Sequence, residues 1–366
     1  MNKKISFAGP SITQKEIDYV VDGVKNGFYE TFDQHTRRLE KAICDYIGVK
    51  YAVATHCCTL ALHLACSTLS FKQGDEIICT DLSWVATSYA IDYTGATPVF
   101  VDLDPDTWCI DPKAIRKAIT PSTKAIMLVH MFGQPAEMDE IMAIAREYNL
   151  RVIEDAAPSL GSTYKGRKTG SFGDIGCFSF QGAKIAVSGE GGILVTDNEE
   201  LFQRASLLAS MGRTDSQAVF WSDMIGYQYT IANLTASLAL AQVERIEELV
   251  ELKRKIFGWY EQRLGSIPGI KLIREKPYSR SNYCYPSILL EDIITTDRDV
   301  ILKKFKEQNI HARPGFPQMS CFPAHSQRFP NPVAKQVAER GISLPSAANL
   351  DEEDIDFVCH TLHDLI

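Results

Sequence analysis

Between residues 51 and 157 five strand-like runs alternate with stretches of helical periodicity. Tyr51–Ala54 leads into LALHLACSTL, DEIICT into WVATSYAIDYTG, TPVFVDLD into DPKAIRKAI, and KAIMLVHMFG into EMDEIMAIAREYN; LRVIEDAA closes the series. Strands joined by helices pair in parallel, because each crossover lays its helix across the sheet. Near-continuous apolar runs further require burial on both faces. The pattern predicts an α/β fold whose mostly parallel central sheet is covered by helices.

Apolar spacing at Ile17-Val20-Val21-Val24 and at Leu39-Ala42-Ile43-Tyr46-Ile47 predicts two helices ahead of the sheet. GCFSF and GGILVTD predict further strands near residues 175–196. From Tyr229 to Leu264 the pattern is one long helical run. After Gly265 a strand-like run, Tyr285–Leu290, is mixed with amphipathic stretches at Asp297–Gln308 and Asp351–Ile366. The expected organisation is a large domain over 1–240, a linking helix over 241–264 and a small α+β domain over 265–366. The segment RPGFPQMSCFP, threaded with large apolar residues, reads as an ordered loop near a site.

Composition narrows the function classes. The chain has 366 residues, 45% hydrophobic and 23% charged, the balance of a globular protein. A net charge of −8 with no basic cluster argues against nucleic-acid binding. No window approaches the roughly 18 apolar residues of a spanning helix, and the N-terminus lacks an apolar signal core, so no membrane association is expected. Ten cysteines and eight histidines form no CxxC or HxxxH set, so no metal site is expected. Scattered free thiols suit the cytoplasm.

Ligands of parallel sheets sit at the carboxyl ends of the strands, and three such ends carry chemistry. In THCCTLALHLA a strand runs into a helix whose free N–H groups suit a phosphate, with Thr59 as an added hydroxyl; Thr59 is equally a plain helix cap. In VIEDAAPSLG the run ends on Glu154-Asp155, a cap, a surface charge or a carboxylate aimed into a site. In GCFSFQGAKIAVSGEGGILVTD, Lys184 stands between a strand and a glycine-rich return, where glycines let backbone approach a ligand. Alone, that segment reads better as a snorkelling surface lysine. Taken together the three reverse this: an early phosphate cradle, a mid-chain Asp and a later lysine follow the order found in enzymes of the aspartate aminotransferase fold, which use pyridoxal phosphate (PLP).

The resemblance then becomes specific. Cys58-Thr59-Leu60-Ala61-Leu62-His63-Leu64-Ala65, Gly74-Asp75-Glu76-Ile77-Ile78, Val152 to Gly161, Gly170 to Gly192 and Ile342 to Asp356 are similar, in order and nearly end to end, to blocks of the DegT/DnrJ/EryC1/StrS family of sugar aminotransferases. The resemblance implies that Lys184 is the Schiff-base lysine and proton carrier and that Asp155 pairs with the pyridine nitrogen. It implies that Trp84 stacks on the ring, and that the backbone at Cys58, the Thr59 hydroxyl and Ser179 bind the phosphate. Members are homodimers with shared active sites, which places Gln228 in the neighbouring subunit's phosphate site. Arg313 is a candidate anion contact for the substrate, or equally a surface ion-pair residue.

The chain departs from the family at His56-Cys57-Cys58, where Ser-Asn-Gly is common, and at Pro158, which offers no side-chain donor to the cofactor's phenolic oxygen. Gln228 and Thr230 stand where Asn and Arg are usual. Retention of Lys184, which a dehydratase branch replaces with histidine, favours transamination. The implied reaction moves an amino group from L-glutamate to a nucleotide-linked keto-deoxysugar, for amino-sugar and surface-polysaccharide synthesis. Another cyclic ketone, such as a keto-inositol, and a PLP-binding regulatory protein without turnover are the alternatives.

Overall fold

The computed structural model describes residues 3–213 and 221–366. Its central sheet has seven strands: β1 Tyr51–Thr55, β2 Glu76–Thr80, β3 Thr97–Val101, β4 Thr123–Val129, β5 Arg151–Asp155, β6 Ile175–Ser179 and β7 Gly192–Thr196. In space they run β1-β7-β6-β5-β4-β2-β3. All neighbours pair in parallel except β7, which lies antiparallel between β1 and β6. Alternation along each strand divides the core in two. Ile78, Ile126, Leu128 and Val152 point into one layer, while Ile77, Cys79, Ala125, Met127 and Ile153 point into the other. Both layers are covered, which explains why the runs read as continuously apolar.

The expected N-terminal helices are α1 Gln14–Asn26 and α2 Gln34–Ile47; α3 Cys58–Thr68 and α4 Ala86–Asp92 follow β1 and β2. The long run expected from Tyr229 is two helices, Asn233–Val243 and Ile246–Leu264. No Gly or Pro marks the break. Arg245 sits at the junction, its guanidinium bonded to Glu16 Oε1 at 2.6 Å, to Glu248 Oε1 at 2.6 Å and to the Ser11 carbonyl. Burial alone would raise the Glu16 carboxyl, but bonds from Thr13, Arg245 and Gln242 hold it down at about 2. The tertiary ion pair, not local propensity, sets the helix end.

After residue 265 a four-stranded antiparallel sheet forms from Ile270–Leu272, Ser287–Leu290, Gly341–Ser343 and Arg313–Pro314. Helices Arg298–Glu307, Pro332–Arg340 and Glu352–His363 accompany it. The strand expected from Tyr285 starts at Ser287, beyond Pro286, which leaves Tyr285 off the ladder. The first residues also join this part of the chain: Ile5 N–H donates to the Asn309 carbonyl at 3.0 Å, and the Phe7 carbonyl accepts from Ser346 N–H at 2.8 Å.

A fully buried carboxylate ties the two parts together. Asp81, one residue past β2, accepts from Gln318 Nε2 at 2.9 Å, Ser320 N–H at 2.7 Å, Ser320 Oγ at 2.8 Å and Asn331 Nδ2 at 2.8 Å. Its carbonyl accepts Met319 N–H at 2.9 Å. Four donors satisfy a charge that burial would otherwise penalise. The Pro-rich segment is thus ordered.

Candidate active site

A cavity of ≈ 380 Å³ opens at the carboxyl ends of the central strands, where a parallel sheet offers its loops to a ligand. Its wall takes Cys57, Cys58 and Thr59 after β1, Trp84 and Thr87 after β2, and Phe132 after β4. Asp155 and Pro158 come from β5 and its exit, Ser179 and Lys184 from β6 and its exit. Phe7, Tyr285, Arg313 and Phe316 complete it. Of the residues anticipated from sequence, Lys184, Asp155, Cys58, Thr59, Trp84, Ser179 and Arg313 all line this one space. Gln228 does not; it lines a separate, shallower depression with Met211, Ile225 and Gly226, and its Nε2 donates to Thr230 Oγ1 at 3.2 Å.

The adjacent carboxylates of β5 point to opposite faces of the sheet. Glu154 is fully buried and accepts the N–H groups of Gly170, Phe172 and Gly173 at 2.6–2.7 Å. His130 adds a fourth bond: its Nδ1 accepts Ala136 N–H at 3.1 Å, so the proton is on Nε2, which donates to Glu154 Oε2 at 2.9 Å. Glu154 therefore ties a turn. Asp155 faces the cavity. Burial pushes its carboxyl up, while the Thr87 hydroxyl, which donates to Oδ2 at 2.7 Å, and the nearby Lys184 charge oppose that. Thr87 is held in turn beside Ser83 Oγ at 3.0 Å. Sequence reasoning missed Thr87, although it follows Trp84 by three residues and its N–H donates to the Trp84 carbonyl at 3.1 Å.

No side chain caps the N-terminus of α3, so its first-turn N–H groups are open to an anion beside the Thr59 hydroxyl. The cradle depends on Gly192 of β7: a Cβ there would lie 2.5 Å from both Cys57 C and Cys58 N. Ser179 Oγ accepts Gln181 N–H at 3.3 Å. Trp84 is 64% exposed, large for an indole in a cavity wall and suited to cover a planar ring. Pro158 adds only an apolar surface, its carbonyl taken by Asn282 Nδ2 at 3.0 Å. Lys184 Nζ lies 5.7 Å from the Tyr285 ring centroid. Arg313, exposed at the rim, lies over Phe7 with its guanidinium carbon 4.5 Å from the ring centroid.

An anion cradle, an aromatic cover, a buried carboxylate and a primary amine in one cavity fit the phosphate, ring, ring nitrogen and carbonyl of PLP. A model of the DegT/DnrJ/EryC1/StrS aminotransferase family matches residues 10–363. The chain is 37% identical to the GDP-perosamine synthase of Caulobacter vibrioides, over 99% of this chain and 98% of that one. It is 35% identical to the GDP-perosamine synthase of Escherichia coli O157:H7, with 99% and 98% covered. The crystal structure of the aminotransferase TlmJ from Streptoalloteichus hindustanus superposes with a TM-score of 0.92 at 26% identity, covering 98% of both chains.

Proposed function

The chain belongs to the DegT/DnrJ/EryC1/StrS aminotransferase family and is a PLP-dependent enzyme, and from that premise we propose that it transfers the amino group of L-glutamate to the keto group of a GDP-linked keto-deoxysugar, a step in making amino sugars for surface polysaccharide. One observation carries this reading: Lys184, Asp155 and the N-terminus of α3 share one cavity in a chain that aligns end to end with two GDP-perosamine synthases. When bound, PLP supplies a carbonyl that condenses with amines and a protonated ring that draws electrons from the reacting carbon.

The chain's own residues do the rest. Lys184 anchors the carbonyl end and, once released, takes and returns the proton at the substrate carbon that carries nitrogen. Asp155, ionised and dry, holds the proton on the ring nitrogen, with Thr87 keeping its orientation. The first turn of α3, the Thr59 hydroxyl and Ser179 hold the phosphate, and Trp84 covers the ring. Arg313 meets an anionic group of the substrate. Donor and acceptor use the same cavity in turn, which makes the kinetics ping-pong.

The protein acts as a homodimer in which Gln228 reaches the neighbouring subunit's phosphate. Its position outside its own cavity supports this, as do the exposed apolar side chains of Ile17, Val21, Val24, Phe28 and Phe32. Ten free cysteines suit a cytoplasmic setting. Among the described residues no helix is long and apolar enough to cross a membrane. The boundaries 1–240, 241–264 and 265–366 remain the domain division we favour, with the N-terminal strap lying along the C-terminal part.

The test is a panel of GDP-, UDP- and TDP-linked keto-sugars incubated with glutamate and the PLP-loaded protein, read by mass spectrometry. A GDP-linked amino sugar and 2-oxoglutarate should appear together, and Lys184→Ala should abolish both and the visible cofactor band. Glutamate discharge with no nucleotide-linked acceptor consumed would refute the sugar assignment. A mixture of Lys184→Ala and Gln228→Ala chains should regain activity if sites are shared.

A further inference from the structure

We propose that Tyr285 is a positioning residue for Lys184, braced from behind by Phe7 of the N-terminal strap. The inference rests on Lys184 being the nucleophile. Inside the turn that carries it, Lys184 N–H donates to the Gln181 carbonyl and Ala183 N–H to Gln181 Oε1, both at 2.8 Å. These bonds are local and move with the turn. Gly182 N–H donates to the Gly189 carbonyl at 3.1 Å, which closes the turn on itself, while a Cβ at Gly189 would meet open space and one at Gly182 only that carbonyl at 3.9 Å.

Tyr285 supplies a fixed point from outside. Its hydroxyl donates to the Ala183 carbonyl at 2.9 Å, one peptide before Lys184. Its ring lies 5.7 Å from Lys184 Nζ, inside the range at which an aromatic face favours a cation. The ring is 8% exposed. Phe7 stacks on it at 5.0 Å with 25° between planes, and Phe132 meets it edge-on at 5.8 Å. The Tyr285 carbonyl accepts Ser287 Oγ at 3.1 Å, which ties the residue to the first position of its strand.

The consequence is a division of labour. The hydroxyl fixes the Cα of Lys184, so the amine moves between its two tasks by side-chain torsions alone. The ring favours the protonated amine at one end of that movement. Burial pushes the phenol up, well beyond its ordinary range, so the hydroxyl stays a donor at neutral pH. Phe7 carries the brace from the first residues of the chain, which makes that strap part of the active site.

Two variants separate the hydroxyl from the ring. Tyr285→Phe should lower kcat about ten- to a hundredfold, the cost of a misplaced catalytic group, with KM for both substrates unchanged and the pH titration of the visible cofactor band in place. Tyr285→Leu should in addition move that titration to lower pH, and Phe7→Leu should follow Tyr285→Phe with a smaller loss. Lower melting temperatures with wild-type kcat per bound cofactor and an unmoved titration would leave Tyr285 as mere packing and overturn the proposal. Lys184→Ala is run in parallel. If it keeps the visible band and turnover, the nucleophile assignment fails; if it loses both while the Tyr285 variants behave as wild type, only the positioning role fails.

Discussion

Removing one hydroxyl, in Thr87→Val, should uncouple Asp155 from the cofactor. The Thr87 bond to Asp155 Oδ2 is 2.7 Å long and lies in a dry setting. A hydrogen bond to a buried charged group contributes about 1.5–3 kcal/mol, so PLP affinity at pH 7 should fall about ten- to a hundredfold. The sign of the pH dependence follows from burial. The folded carboxyl titrates above its ordinary value, so the cofactor-free protein loses stability as pH rises through the interval between the unfolded and folded values. PLP affinity rises over the same interval as the carboxylate forms. Thr87→Val removes a bond to the ionised form, which moves both transitions to higher pH; Thr87→Ser should leave them in place. The assay is PLP binding by absorbance and thermal melting of the cofactor-free protein, each from pH 5 to 9 (about the range a folded protein tolerates). Equal affinity and superimposable pH curves for Thr87→Val and wild type would refute the role given to this bond.

Gly192→Ala should drive the Cys57–Cys58 backbone off β7, since the added Cβ meets main-chain atoms at 2.5 Å; PLP retention on gel filtration should be lost, with a lower melting temperature. Glu154→Gln turns an amide donor toward two of its N–H donors, whichever oxygen it replaces, and should cost about 2–4 kcal/mol in urea unfolding, while kcat of the folded fraction stays near wild type. Burial pushes the Glu40 carboxyl from 4.5 up to about 7, so its ionisation lowers stability as pH rises between those values. Glu40→Gln, whose carbonyl still accepts Ala54 N–H, should gain in melting temperature over wild type at pH 8 and not at pH 4.

The sheet and most of the cavity were legible because their signals are local. A strand end running into the next segment is written in consecutive residues, and so the stretches carrying Thr59 and Asp155 could be marked before any coordinates. Lys184 gained weight from its order after them and from the family resemblance, which alone pointed to Ser179. Their neighbours were not legible for the converse reason. Tyr285 meets Ala183 and Phe7 across long stretches of chain, and a Tyr beside a strand carries no periodic mark of that contact. The break at Arg245 shows the same limit. Helical propensity runs through it, and an ion pair to Glu16, far back in sequence, overrides it. Glu154 and Asp155 look interchangeable as letters; the family resemblance singled out Asp155, and the pleat, fixed by the register of β5 beside β4 and β6, gives the physical reason it is the one facing the cavity.

The Asp81 clamp bears on traffic through the enzyme. Trp84 follows it by three residues on one side of the cavity, and Phe316 precedes the clamped Gln318 on the other, their rings 6.5 Å apart. With both rims pinned to one carboxylate, this stretch of the wall keeps its spacing. Under the proposed ping-pong reaction, amino donor and keto acceptor would occupy this fixed space in turn, each excluding the other while bound. An excess of either substrate should then slow turnover of the other, which initial rates at rising concentrations of each would show.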